Sequence, residues 1–117
     1  MSVLDMKMLG LLRVLESADE PDILGCLIET YLVDSSGVLM GMRRAVADGD
    51  TEAFKWMAHR LKGSSGVFGA ETLTHLCDEV SILAAPLPTP EARRWLTQIE
   101  IEYARVTVAL QAEQSRH

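Results

Sequence analysis

The sequence predicts an all-α protein: an antiparallel four-helix bundle with an additional short N-terminal helix. Three observations carry that prediction. Apolar residues recur every three to four positions along the whole chain and nowhere alternate as they would in a strand. The periodic stretches are long, and the connections between them are short and carry Gly, Pro or Asp, which makes consecutive helices antiparallel neighbours. The 117 residues suffice for one domain, spanning 1–117, and with 5% aromatics its core is aliphatic rather than built on stacked rings.

The first helix is expected over about residues 3–15, with Leu4, Met8, Leu11, Leu12 and Leu15 on one side. Residues 17–21 read as a turn whose acids and proline start the second helix. That helix turns Ile23, Leu24, Leu27, Ile28, Tyr31, Leu32, Val38, Leu39, Met42 and Val46 inward, and Ser35-Ser36-Gly37 marks a bend or break in it. Asp48-Gly49-Asp50 ends it, because Gly49 suits a left-handed C-cap and Asp50 can cap the next N-terminus. The third helix runs over about residues 51–68, and Gly69 separates it from a fourth with Leu73, Leu76, Cys77, Val80, Leu83 and Ala84 as its apolar stripe. Residues 86–90 form a rigid connector. Thr89-Pro90-Glu91 then starts the last helix, with proline pre-set in its first turn and Trp95, Leu96, Ile99, Tyr103, Val106 and Leu110 facing the core.

Composition excludes several functions. A net charge of -6 argues against nucleic acid and anionic membranes as partners, since both need a positive field to displace counterions. The length leaves no room for a nucleotide-binding domain beside a catalytic one. Cys26 and Cys77 are too few for a disulfide framework and fall at helical apolar spacing, so both read as reduced core residues. The N-terminus has no basic region and is not a secretory signal. No apolar run approaches a membrane span, so no insertion and a cytoplasmic location are expected.

The third helix contains features that folding alone does not require. At about 100° per residue, Phe54, Met57, Ala58, Leu61, Ser65 and Phe68 share the inward arc. His59 points nearly opposite, with Lys55, Trp56, Lys62, Gly63 and Gly66 around it. A mid-helix glycine costs about 1 kcal/mol relative to alanine, and Gly63 stands one turn after His59 on the solvent side. A bare backbone beside an exposed imidazole lets another macromolecule approach the ring, and Gly66 extends the strip. The other reading of Gly63 is close packing of a crossing helix. Trp56 reads equally as packing under the first helix or as a docking contact. Ser64 and Ser65 read as satisfying backbone carbonyls or filling a tight helix contact.

Two of the three lysines, Lys55 and Lys62, flank His59, and no acid occurs between residues 53 and 70. With Arg60 they form a positive patch in a negative molecule, suited to an anion near His59. General acid–base catalysis needs an orienting partner and a pocket, and no acid lies within a turn of His59 on its face. Zinc needs converging ligands, and no His or Cys sits at the helical spacings around His59, so no metal site is expected there. His75, between Glu71 and Glu79, is an equally poor metal site. What remains is nucleophilic: a neutral imidazole takes a phosphoryl group and later gives it up.

The segment Ala58-His59-Arg60-Leu61-Lys62-Gly63-Ser64-Ser65, followed by Phe68-Gly69-Ala70, resembles the histidine phosphotransfer (HPt) domain family. Gly49-Asp50 and the flanking helix lengths agree, so the resemblance covers about residues 3–112. It implies that His59 is the phospho-accepting residue of a phosphorelay carrier, taking the group from a receiver-domain aspartate and passing it to another. It implies that Lys62 holds phosphoryl oxygens and Gly63 clears the partner's way. Many members carry a Leu-Glu pair where this chain has Val80-Ser81, a departure at a surface contact. The implied partners are receiver domains and a hybrid sensor histidine kinase. Magnesium is expected on the receiver, with no cofactor on this chain and no autonomous kinase activity. Lys55 is expected near the phosphoryl group, and Trp56, Gly66 and whatever Met8 and Leu9 leave exposed form the docking surface. A monomer is expected. The alternative is a helical adaptor that binds a sensor kinase or receiver without carrying phosphate.

Overall fold

The computed structural model describes residues 3–14, 22–83 and 86–115. Among these residues five α-helices follow one another: α1 (Met6–Val14), α2 (Ile23–Ala47), α3 (Thr51–Ser65), α4 (Glu71–Ser81) and α5 (Thr89–Gln114). Among the described residues there is no strand. Helices α2, α3, α4 and α5 pack as the predicted bundle, and α1 rests on α2 and on the turn that follows α3.

The bundle is held by its apolar stripes. Ile28, Met42, Phe54, Leu61, Leu73 and Ile99 have no exposed surface, and burying each such side chain contributes about 1.5–3 kcal/mol. The connection between α2 and α3 follows the predicted chemistry. Gly49 sits at φ 72°, the Asp50 N–H donates to the Ala45 carbonyl at 2.8 Å, and the Asp50 carboxylate accepts the Ala53 N–H at 3.0 Å. These bonds satisfy orphan groups at the end of one helix and the start of the next. Helix α3 ends at Ser65 rather than running evenly to residue 68, because Gly66–Phe68 tighten into a 3-10 turn. Gly69 closes it at φ 65°, where a Cβ would collide with Asp5.

Further expectations are corrected. Helix α2 does not break at Ser35-Ser36-Gly37. Ser35 turns inward and shares a 2.7 Å hydrogen bond with the Tyr103 hydroxyl, so packing on α5 overrides poor local propensity. That unbroken helix is also long and apolar enough, by length and composition, to cross a membrane, although no such run was expected. Leu24, Ile28, Val38, Leu39 and Met42 on this helix lie in the bundle core, whereas Leu27, expected inward, is exposed, as are Val33 and Met40.

The inward face of α1 is rotated from the expected one: Leu9 is buried and Leu11 is 64% exposed. The helix starts at Met6, with the Asp5 carboxylate accepting the Lys7 N–H at 2.9 Å. Leu4 therefore packs from irregular backbone ahead of the helix rather than as part of its apolar side. Cys26 is exposed, whereas Cys77 is buried, and burial pushes its thiol up to about 12. Leu15, the turn over 17–21 and Ala84 lie outside the described residues.

Candidate functional site

The site is built on the outer face of α3. Ala58 and Leu61 are fully buried, and Ser65 fixes the same inward face by sharing a 2.8 Å hydrogen bond with the Tyr31 hydroxyl. Ser64 bonds back to the Leu61 carbonyl at 3.2 Å. With the inner face anchored in this way, His59 is left in solvent. Trp56 is not tucked under α1. It is 60% exposed, and its ring stacks beside His59 at 6.0 Å between centroids and 25° between planes.

A Cβ at Gly63 or at Gly66 would meet nothing within 4 Å. That removes the helix-packing reading of Gly63 and leaves a bare strip of backbone running on from His59. Beside the imidazole lies a shallow, open hollow lined by Glu52, Lys55, Trp56, His59, Ser81 and Leu83.

The charges differ from the expected free patch. Lys55 is buried on the flank of the hollow, and its ammonium pairs with Glu52 at 3.2 Å. Lys62 reaches across to α4 and pairs with Asp78 at 2.9 Å. Arg60 is exposed and makes no ion pair among the described residues. Donation from Lys62 holds the Asp78 carboxyl below the usual carboxylate range, partial desolvation opposes this, and the charges of Lys62, His75 and His59 add to the lowering. The stretch between residues 53 and 70 is acid-free along the chain, but the fold sets Glu52 and Asp78 against its lysines.

Asp78 and Ser81 are the site residues that reading α3 alone missed, and a signal for both was present. Helices α3 and α4 are antiparallel about Ala70, and Lys62 and Asp78 each lie eight residues from it. His59 and Ser81 each lie eleven residues from it. Ser81 carries no charge into the hollow, and its hydroxyl donates to the Asp78 carbonyl at 2.9 Å. Met8 is half-buried and Leu9 buried, so α1 offers less docking surface there than expected. Among the described residues, no three His, Cys, Asp or Glu side chains are grouped to hold a metal ion.

Chemically, this is an accessible imidazole beside an open, solvent-facing hollow, with a half-exposed ammonium a turn away. The Hpt domain family model matches residues 27–112, a span that includes His59, Lys62, Gly63, Asp78 and Ser81. No curated protein matches the chain. Among solved structures, it is similar to histidine-containing phosphotransfer protein B (HptB) from Pseudomonas aeruginosa PAO1. The TM-score is 0.77 at 28% identity, covering 98% of this chain and 96% of that one.

Proposed function

The chain belongs to the Hpt domain family, whose work is histidine phosphotransfer in phosphorelay signalling, and we propose that His59 is its phospho-accepting residue. The observation that carries this reading is an exposed imidazole followed by Gly63, where even a Cβ would find empty space. Folding gives no reason for glycine there, whereas close approach by a partner does.

In the proposed step, the lone-pair nitrogen of neutral His59 attacks the phosphorus of a receiver's aspartyl phosphate. A P–N bond forms as the P–O bond to the aspartate breaks, and the carboxylate leaves with the electron pair. The proton on the other ring nitrogen stays at first, so the ring carries a positive charge until that proton is lost to solvent. The reverse step charges a second receiver. Lys62 supplies positive charge to the phosphoryl oxygens, while magnesium comes with the receiver. Trp56 and the strip at Gly63 and Gly66 form the surface on which the receiver settles, and Lys55 supports the hollow from its flank. The chain acts as a carrier without kinase activity of its own, as a cytoplasmic monomer that exchanges phosphate with receiver domains and a hybrid sensor kinase.

The test is direct. Incubated with a phosphorylated receiver domain and magnesium, the protein acquires a phosphate that is labile in acid and stable in alkali, and His59→Gln does not. Equal labelling of His59→Gln would overturn the assignment. An adaptor would instead bind the receiver with no label on either variant.

A further inference from the structure

Asp78 carries a charge beside the site and takes no part in the bond making and breaking proposed at His59. Its partner Lys62 is the cation best placed to meet a phosphoryl group, since it follows His59 by one turn on the same helix face. In the structure that ammonium is held 2.9 Å from Asp78 on the neighbouring helix. The two side chains keep 37% and 40% of their surface in water, and pairs this wet are weak enough to exchange partners readily.

We infer that Asp78 is a positioning residue that parks Lys62 while His59 is bare and competes with the phosphoryl group for it once His59 is charged. The inference rests on His59 being the phospho-acceptor. When the P–N bond forms, two anions face one ammonium. Lys62 must then leave Asp78 or divide itself between the two, so the phosphorylated state gives up an interaction that the bare state has. Asp78 thereby raises the tendency of phospho-His59 to pass its group onward, without touching the reacting atoms.

Asp78 also lies close enough to His59 to feel its charge, so direct repulsion of the phosphoryl group is the rival explanation. The two separate cleanly. Competition requires Lys62, whereas repulsion does not. A purely structural tie between α3 and α4 is a third explanation, and it would move stability rather than the transfer equilibrium.

The experiment measures how phosphoryl partitions at equilibrium between this protein and one receiver domain. The receiver is charged with acetyl phosphate and magnesium, freed of the excess, and used at one concentration for every variant. Asp78→Asn should shift the partition toward the phosphorylated protein by about two- to fivefold, the range expected for losing one exposed pair. Asp78→Ser should do the same, and Asp78→Glu, which can still reach Lys62, should restore the wild-type partition. In a Lys62→Met background the shift should vanish. Far-UV circular dichroism and melting confirm that each variant is folded before its partition is read. No shift in Asp78→Asn and Asp78→Ser, a shift toward the receiver, or a full shift surviving in Lys62→Met would each overturn the inference. Absence of phosphate on wild-type His59 would instead overturn the functional reading beneath it.

Discussion

Gly63 is the position where stability and function should part company. Its backbone is ordinary right-handed helix, since positive φ is confined to Gly49 and Gly69 among the described glycines. A Cβ added there touches nothing within 4 Å. Gly63→Ala should therefore return the full propensity difference, about 1 kcal/mol, with no steric loss to offset it. For 117 residues, an unfolding entropy of about 2.1 cal/mol/K per residue converts this to a rise in Tm of roughly 4 °C. A long side chain at the same site should do the opposite to function. Gly63→Gln places a flexible amide one turn from His59, on the strip proposed for the receiver's close approach. Misplacing reacting atoms by about 1 Å can cost a hundredfold in rate, so transfer from a phosphorylated receiver should slow at least tenfold. Labelling by phosphoramidate, a donor small enough to avoid the side chain, should proceed at close to the wild-type rate. Calorimetry measures the first effect, and rapid-quench labelling with the two donors measures the second. A fall in Tm for Gly63→Ala, or receiver-dependent transfer by Gly63→Gln at the wild-type rate, would refute the reasoning.

Two predictions concern groups away from the site. In the native protein, Ellman's reagent should titrate exposed Cys26 quickly and reach buried Cys77 only on unfolding, and fast reaction at both would contradict the packing of α4. Stability should also fall in alkali. Burial raises Cys77 from 9.0 to about 12 and is the largest cause raising Tyr31 from 10.0 to about 12. Both folded groups stay neutral where their unfolded counterparts ionise, so each contributes nothing below its unfolded value and costs up to about 1.4 kcal/mol per pH unit above it. Urea melts should show the decline beginning near pH 9 for Cys77 and steepening near pH 10 as Tyr31 joins. A flat profile through pH 11, or an unchanged slope in Cys77→Ala, would count against it.

What could be read from the sequence was local or periodic. The cap at Gly49 and Asp50 depends on neighbouring residues alone, and it forms as expected. The outward aim of His59 follows from the inward run Phe54, Ala58 and Leu61, which the helix period fixes. The failures are of another kind. Ser35 looked like a helix breaker because its partner, Tyr103, lies 68 residues away on α5. The face of α1 differs from the expected one because Leu4, grouped with the helix's apolar side, precedes its first turn. Cys26 was placed inside on its apolar neighbourhood, yet it stands next to inward-facing Gly25 on the rim of α2 and turns out to solvent. The charge pattern around His59 was correct along α3 and incomplete in space, because Asp78 comes from α4.

That last difference changes what the basic stretch means. A free cluster formed by Lys55, Arg60 and Lys62 would suit a protein that holds an anion. In the structure Lys55 is tied to Glu52 and Lys62 to Asp78. A carrier has the opposite need from a receptor: it must accept the phosphoryl group and then release it to the next aspartate. In bulk water a unit charge pair at 4 Å is worth only about 1 kcal/mol, whereas the same pair in a dry interior is worth many times more. Keeping His59 on an open, wet surface therefore limits what any lysine can add to a few-fold preference. Engaging Lys62 elsewhere in the bare state reduces even that. On the proposed reading, the acidic partners would act together with these lysines and keep both directions of transfer within reach of the receiver's own chemistry.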